Sequence, residues 1–271
     1  MRALIIGANG FLGSHICRGC LDNSWEITAL YHRNKDQIPR GVDVYPIEKL
    51  EKLSEDYDTV FLSVGNYTLS TKELRQANVE LTLRVVEKFD RARIVFISSA
   101  AVYGLHKDVI NISSTFNQPN DYGLSKLAGE FVVKAHKNAR IIRFTALYGP
   151  RMKENLFLPT IIRGAMKKKL IKIFGDGKRR QDYLYVKDAA SLCLLVAKHK
   201  KPGIYLGAYG RSFGNNAVAE VVRSFFPGTT IVHEGEDRAS SFAFNVPEVK
   251  RELGFKPSYS LKKGIKEMLF L

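Results

Sequence analysis

Short apolar runs alternate with stretches of helical periodicity through the first half of the chain. The runs that predict strands are Ala3–Ile6, Ile27–Tyr31, Thr59–Ser63, Ile94–Ser98 and Arg140–Phe144. Apolar residues recur every three to four positions in the segments that predict helices, which are Phe11–Cys20, Leu74–Phe89 and Tyr122–His136. Strands that alternate with helices in this way predict an α/β fold with a doubly wound parallel sheet, covered by helices on both faces.

The pattern changes after Gly149-Pro150. The elements expected there are a helix at Leu158–Met166, a strand at Leu170–Phe174, helical periodicity through Leu184–Val196, a late strand of the main sheet at Gly203–Leu206 and a final helix. We therefore expect a main domain of residues 1–150 and 181–225 and a small discontinuous C-terminal cap of residues 151–180 and 226–271.

The length and composition of the chain permit a folded hydrophobic core without disulfide bonds or bound metal ions. The chain has 271 residues, of which 45% are hydrophobic, and no apolar run is long enough to span a membrane. The apolar run at the N-terminus is also too short for a secretory signal, so we expect a cytoplasmic protein. Cys17 and Cys20 form a C-x-x-C pattern within the first predicted helix, where we expect inert buried thiols rather than a redox pair.

The formal net charge is +15. The basic residues form only short clusters, and none is interleaved with aromatic residues as a base-stacking groove would require. We expect no nucleic-acid partner. A solvated lysine-rich surface and attraction of a phosphorylated substrate both remain open.

Gly7, Gly10 and Gly13 form a G-x-x-G-x-x-G pattern directly after the first strand. Glycine permits the tight turn, lets the backbone approach a pyrophosphate and lets the helix pack against the strand. The helix N-terminus adds free N–H groups for phosphate. Although strand-to-helix turns also use glycine structurally, this position predicts a Rossmann-type dinucleotide-binding domain.

The second strand ends in Tyr31-His32-Arg33, without the acidic residue that accepts from the ribose 2′-hydroxyl of NAD. Arg33 could instead clamp the 2′-phosphate of NADP. The sequence thus favours NADP, with NAD as the alternative cofactor and a merely solvated Arg33 as the alternative role.

Tyr122 and Lys126 are four residues apart, hence on one face of a predicted helix. A nearby cation favours the phenolate form of tyrosine, which makes the phenol a usable acid or base. Ser98 and Ser99 place hydroxyl groups at the end of a buried strand, where the ligands of parallel sheets bind.

Together these pieces resemble the extended short-chain dehydrogenase/reductase family, in particular its group of nucleotide-sugar epimerases, dehydratases and ketoreductases. The matching segments are Gly7–Gly13, Asp58, Asn78, 98–104, Tyr122 with Lys126, 147–151, 175–177, 182–188 and 251–257.

The resemblance implies a catalytic set in which Ser99 hydrogen-bonds the reacting sugar oxygen, Tyr122 exchanges a proton with it, and Lys126 holds the nicotinamide ribose. The implied cofactor contacts are Gly7, Asn9, Gly10, Phe11, Leu12, Gly13, Arg33, Ser63, Val64, Gly65, Asn78, Ser98, Tyr122, Lys126 and Phe144. The implied substrate contacts are Ala100, Arg151, Asn155, Arg180 and Gln181. No metal is expected.

The chain also departs from the family pattern. Dehydratases carry an acid after the catalytic hydroxyl residue, where this chain has Ala100 and Ala101. Ala146 stands where epimerases and dehydratases usually have a phosphate-binding asparagine. Gln181 replaces the family's phosphate-contacting arginine, so we expect a neighbouring cation to take over that contact. The candidates are Arg151, Lys153 and Arg180.

These departures favour NADPH-dependent reduction of a nucleoside-diphosphate 4-keto-6-deoxyhexose. The alternatives are an NAD-dependent 4-epimerase and, from a different class, a dinucleotide sensor without catalysis. Apolar faces on the helices at Leu74–Phe89 and Leu127–Val133 would allow a homodimer, although they could equally be core.

Overall fold

The computed structural model describes residues 1–65, 69–106, 109–237 and 239–270, so Arg238 and Leu271 of the expected cap lie outside the described residues. The strands are β1 (Arg2–Ile6), β2 (Glu26–Tyr31), β3 (Asp43–Pro46), β4 (Thr59–Leu62), β5 (Arg93–Ser99), β6 (Ala139–Phe144), β7 (Ala146–Tyr148), β8 (Leu170–Phe174), β9 (Arg180–Tyr185), β10 (Gly203–Gly207), β11 (Ser212–Gly214) and β12 (Thr230–Glu234). The α-helices are α1 (Phe11–Asp22), α2 (Thr71–Arg75), α3 (Leu81–Lys88), α4 (Asp121–Lys134), α5 (Phe157–Lys168), α6 (Val186–Lys198), α7 (Asn215–Arg223), α8 (Pro247–Leu253) and α9 (Leu261–Leu269).

The main sheet has seven strands in the order β10-β6-β5-β4-β1-β2-β3, and all neighbouring pairs are parallel. This confirms the expected Rossmann-type α/β fold. The chain runs outward from β1 through β2 and β3, then crosses over to β4 on the other side of β1. The loops after β1 and β4 therefore diverge at the carboxyl edge of the sheet and open a crevice there.

The period of two along each strand explains why the sheet is covered on both faces. In β1, Ala3 and Ile5 belong to the core cluster that includes α1 and α6. Leu4 and Ile6 belong to the cluster that includes α3 and α4. Because both faces of β1 are buried, its sequence is a continuous apolar run rather than an alternating one.

The C-x-x-C cysteines lie in the first of these clusters, and both are fully buried. Burial raises the pKa of Cys17 and of Cys20 to about 12, so both thiols stay protonated at neutral pH. The expectation of inert packing thiols agrees with this environment.

A separate apolar cluster forms the cap. It joins α5, β8 and α9 to α7, whose Val218 and Val222 lie in it, although α7 falls within the segment 181–225. Conversely, Val249 and Phe255 of the C-terminal segment pack into the core of the main domain. The domain boundaries expected from the sequence stay a prediction, and we propose that α7 belongs with the cap.

Two elements differ from the sequence expectation in detail. Helix α6 begins at Val186 rather than at Leu184, because Leu184 and Tyr185 pair with β7 in a small second sheet. The expected helix Leu74–Phe89 is divided into α2 and α3 by a π-helical turn at Gln76–Glu80. The strands β3, β7 and β11 have three or four residues, too few for their periodicity to predict them, and β12 and most of β9 were also not among the expected elements.

The helix faces considered for a homodimer are partly core. Leu74, Val85 and Phe89 are buried, whereas Leu83 and Phe131 are exposed. Dimerisation stays a prediction. No helix in the described ranges has both the length and the hydropathy to cross a bilayer.

Candidate active site

A cleft of about 850 Å³ opens at the carboxyl edge of the main sheet, between the sheet and the cap. Its walls come from the loops that follow β1 and β4, from the end of β5, from the first turns of α4 and from cap residues. The expected site residues that line it are Gly10, Phe11, Leu12, Ser63, Val64, Gly65, Ser98, Ser99, Ala100, Tyr122, Lys126, Phe144, Arg151 and Gln181.

The glycine turn at the entrance to α1 is packed so tightly that side chains are excluded. Gly7 has φ +84°, and a Cβ there would lie 2.2 Å from the carbonyl oxygen of Ser63. A Cβ on Gly13 would lie 2.1 Å from the carbonyl oxygen of Gly7. The chain can make this turn only with glycine at both positions, and neither residue itself lines the cleft.

Helix α1 begins without a side-chain cap. Gly10 is the N-cap residue, and within the described part of the chain no side chain caps the first N–H groups of the helix. Those groups and the positive end of the helix dipole lie at the cleft, beside Gly10 and Phe11. The turn and the uncapped helix end together fit the pyrophosphate of a dinucleotide, as the sequence predicts.

The three residues expected to be catalytic reach the cleft from two elements. Ser99 is the last residue of β5, and its Oγ accepts a hydrogen bond of 3.1 Å from the N–H of Ala101. Tyr122 and Lys126 lie one turn apart in the N-terminal half of α4, which begins at an Asn120 cap. The Lys126 Nζ lies 6.0 Å from the centre of the Tyr122 ring.

Lys126 is 1% exposed and is held in one place. Its Nζ donates to the carbonyl oxygen of Val64 at 2.6 Å and to that of Ile97 at 2.8 Å. Burial lowers the pKa of Lys126 to about 7, and the negative charge of Glu130 opposes that shift. An amino group with a pKa near 7 can gain or lose a proton at neutral pH, which suits a role in proton transfer.

Asn78 lies behind the cleft wall in the π-helical turn. It is fully buried, and its Nδ2 donates to Ser125, whose Oγ donates to the carbonyl oxygen of Tyr122. A Cβ on Gly65 would lie 2.3 Å from the Asn78 Oδ1, which has no hydrogen-bond partner among the described residues. Asn78 thus supports the cleft wall at Gly65 and the first turn of α4 rather than lining the cleft, and π-helical turns are frequent at functional sites.

Two further residues expected to contact the cofactor lie outside the cleft lining. Arg33 follows β2, its side chain is 75% exposed, and its Nη2 lies 3.7 Å from Glu73. The Asn9 side chain hydrogen-bonds Asn34 and accepts from the N–H of Gln37, which ties the glycine turn to the loop after β2.

On the substrate side, the cleft is lined by the cations Arg151, Lys153 and Arg179. Arg179 immediately precedes β9, and Gln181 is the second residue of that strand. Because the two residues are two positions apart, their side chains point to the same face, and both line the cleft. Arg180 points to the other face of β9, where its Nη2 donates to the carbonyl oxygen of Ser212 at 2.7 Å.

Asn155, the remaining residue expected at the substrate, is exposed in the turn before α5 and outside the lining. The sequence analysis did not consider Arg179 as a contact residue. The spacing of two residues between Arg179 and Gln181 could have identified it. Side chains alternate between the two faces of a strand, so Arg180 lies on the face opposite to Gln181.

The Arg179 side chain is anchored from behind. Its Nε lies 2.6 Å from the Asp237 carboxylate, and its Nη1 donates to Gln181 at 3.3 Å. Apolar side chains, including Leu105, Phe242 and Phe244, line the cleft elsewhere, and the rings of the two phenylalanines stack. The cleft therefore offers cations for an anionic group and apolar surface for a ligand carbon skeleton.

Comparisons with known proteins agree with this architecture. The model of the NAD dependent epimerase/dehydratase family matches residues 3–206. A putative UDP-glucose 4-epimerase from Methanocaldococcus jannaschii is 27% identical, over 98% of this chain and 96% of the relative. CDP-abequose synthase from Salmonella typhimurium is 22% identical, over 98% and 96%. Among solved structures, UDP-glucose 4-epimerase from Thermotoga maritima with UDP-glucose superposes with a TM-score of 0.87 at 20% identity, over 100% of this chain and 98% of the other.

Proposed function

Within the NAD dependent epimerase/dehydratase family, to which this chain belongs, we propose that it reduces a nucleoside-diphosphate 4-keto-6-deoxyhexose with NADPH. The family consists of extended short-chain dehydrogenase/reductase enzymes, and the chain is an enzyme of that type. The substrate, the cofactor preference, a cytoplasmic location and the roles of individual residues belong to the proposal.

One observation carries the choice of reaction. Among the residues that the structure describes, no aspartate or glutamate lines the cleft, and Ala100 and Ala101 follow Ser99. Elimination of water across a C5–C6 bond calls for an acid and a base beside the reacting carbons. A reduction needs only one proton donor, and Tyr122 in the cleft wall can serve as that donor. The cleft chemistry therefore favours net reduction over dehydration.

The chain's own residues supply alignment and the proton. The dinucleotide, when bound, supplies the hydride that the ketone carbon accepts. The Ser99 hydroxyl orients the ketone oxygen, and Tyr122 donates its proton to that oxygen, so that the C=O bond becomes CH–OH. Lys126 stabilises the phenolate left on Tyr122 until solvent restores the proton.

The cofactor preference rests on the loop after β2. Arg33 lies beside the end of this strand with no acidic residue next to it in sequence, and its exposed guanidinium can turn from Glu73 toward a 2′-phosphate. The substitution Arg33→Asp is expected to reduce affinity for NADPH by about tenfold, because one charge-assisted contact contributes roughly 1.5 kcal/mol or more. It should leave NADH affinity unchanged or improved. A loss that is equal for both cofactors would reject the 2′-phosphate role.

The diphosphate of the substrate is assigned to the cationic wall. Arg151, Lys153 and Arg179 line the cleft, and Asp237 holds the Arg179 guanidinium from behind with a short ion pair. Charge-assisted contacts to phosphate oxygens are the strong ones in such sites. Arg179 is thereby added to Arg151 and Lys153, two of the cations that the sequence analysis considered for this contact, whereas the third, Arg180, lies outside the cleft lining.

A 4-epimerase remains the second candidate, because the Methanocaldococcus jannaschii relative and the Thermotoga maritima structure both carry that description. An epimerase returns its hydride to the same sugar and shows no net consumption of cofactor. A reductase releases oxidised cofactor in each turnover.

The test is to follow NADPH and NADH absorbance with a panel of nucleotide-activated 4-keto-6-deoxyhexoses, and to look for interconversion of unreduced nucleotide sugars in parallel. Stoichiometric NADPH oxidation with a 4-keto sugar supports the proposal. Interconversion of sugars without net cofactor oxidation would establish the epimerase instead. Tyr122→Phe serves as the matched control, because it removes the proton donor and keeps the ring.

A further inference from the structure

A buried polar cluster lies directly behind the catalytic wall and has no part in the mechanism described so far. Glu130 of α4 and Arg143 of β6 are 0% and 2% exposed, and neither lines the cleft. Their ion pair is bidentate: Nη2 donates to Oε2 at 2.6 Å and Nε donates to Oε1 at 2.9 Å. A buried pair this close is well formed, although pairs of this kind are weak evidence for stability as such.

The cluster is connected to the cleft on two sides. The Ser98 hydroxyl donates to Glu130 Oε1 at 2.6 Å, and Ser98 lines the cleft. Glu130 also follows Lys126 by one helical turn on the same face of α4, and its charge acts on the Lys126 ammonium. On its far side, Arg143 donates to the Tyr103 hydroxyl at 2.9 Å.

The charges explain why the carboxylate is needed. Among the residues that the structure describes, the ionisable groups that interact with Lys126 are Tyr122 and Glu130, both on α4, and Glu130 is in turn paired with Arg143 of β6. The other contacts are uncharged: the carbonyl oxygen of Val64 in the loop after β4, the carbonyl oxygen of Ile97 in β5, and the ring of Phe96, 5.1 Å from Nζ. Without Glu130, the buried Arg143 guanidinium would lose its charge partner, and no carboxylate would offset the burial of the Lys126 ammonium.

We infer that Glu130 is a positioning residue for the proposed proton transfer: its carboxylate neutralises Arg143, keeps the Lys126 ammonium charged beside Tyr122, and fixes Ser98 in the cleft wall. This inference rests on the proposed catalytic role of Lys126. It assigns a function to a residue that touches neither substrate nor cofactor.

A second buried arginine on the same strand provides the matched control. Arg140 is 2% exposed, three residues before Arg143 on β6, and its guanidinium donates to the carbonyl oxygens of Asn138 and His199, each at 2.8 Å. It is not among the residues that line the cleft. Arg140→Met thus measures the effect of losing a buried arginine from this strand alone.

The experiment titrates the Lys126 amine by NMR in the full-length protein without substrate, with the signal assigned by its loss in Lys126→Met. The pKa of Lys126 is about 7 in the wild type. In Glu130→Gln it should fall measurably, since removal of an opposite charge disfavours the ammonium form. In Arg140→Met it should not move. If Glu130→Gln does not fold, the charge-free pair Glu130→Gln with Arg143→Met replaces it, and a smaller fall in the same direction is expected, because the Arg143 cation is removed together with the carboxylate.

The kinetic readout follows the same variants. The alkaline fall of kcat/KM should move to lower pH in Glu130→Gln, with the dinucleotide KM within about threefold of the wild type, and Glu130→Asp should restore part of the shift. An unchanged Lys126 titration in both carboxylate-free variants would overturn the inference. If the titration moves but no 4-keto sugar is reduced, the proposed reaction fails and the positioning role stands.

Discussion

The glycine turn offers the sharpest test of the site, because helix α1 contains two glycines with opposite surroundings. A Cβ on Gly13 would lie 2.1 Å from the carbonyl oxygen of Gly7 and 2.9 Å from its carbonyl carbon. A Cβ on Gly19 would meet only the two terminal methyl groups of Leu194, at 3.5 and 3.6 Å, which is ordinary contact. Both residues lie in the same helix, Gly13 in its first turn and Gly19 in its interior, and alanine is the better helix former at either position.

The expected magnitudes follow from these distances. Replacing glycine with alanine inside a helix stabilises it by about 1 kcal/mol, which is the whole expectation for Gly19→Ala. Because Cβ atoms essentially never approach another heavy atom closer than 3.0 Å, Gly13→Ala forces the turn and the helix about 0.9 Å apart. Overpacking against a backbone costs about 1–3 kcal/mol, so Gly13→Ala should be destabilised relative to Gly19→Ala by roughly that amount.

The effect on dinucleotide binding should be comparable in free energy to the effect on stability. A displacement of about 1 Å at a binding or catalytic element costs on the order of 100-fold, and Gly7 and Gly10 form the turn that approaches the pyrophosphate. We expect Gly13→Ala to lose about 100-fold in dinucleotide affinity and Gly19→Ala to bind as the wild type does. Urea denaturation and fluorescence titration of the reduced dinucleotide measure the two quantities. Wild-type cofactor affinity in a folded Gly13→Ala protein would refute the assignment of the turn.

Three further outcomes are expected. Tyr122→Phe should lower kcat by about 100-fold or more, with dinucleotide binding nearly intact, because general acid catalysis contributes about 10²–10⁴; an unchanged kcat would remove Tyr122 from the mechanism. Arg179→Met should raise the KM for the nucleotide sugar by about tenfold or more through a lost phosphate contact, whereas Arg180→Met, on the other face of the strand, should not; equal effects would contradict the assignment. The kcat/KM of the wild type should fall as pH rises through about 7, because the buried Lys126 loses its proton there in the free enzyme. A kcat/KM profile that is flat within roughly one pH unit on either side of this value would show that the Lys126 proton does not affect the reaction.

The sequence by itself determined the fold and the location of the site. Both faces of each central strand are buried, so apolar runs mark the strands, and helices with a 3.6-residue period mark the layers. Gly7 and Gly13 can be recognised from the sequence because a backbone oxygen lies close to where their Cβ atoms would be, so that only glycine fits at these positions. Tyr122 and Lys126 are readable because one helical turn separates them.

Tertiary structure alone decided the contacts between distant segments. Strand alternation groups Arg179 with Gln181, but which face of β9 meets the cleft depends on its pairing with β7 and β11, and for this reason Arg179 lines the cleft and Arg180 does not. The Glu130–Arg143 pair joins a helix to a strand, and burial gives the pair its electrostatic importance. Burial is a property of the packed layers and leaves no trace in the spacing of two charged residues along the chain.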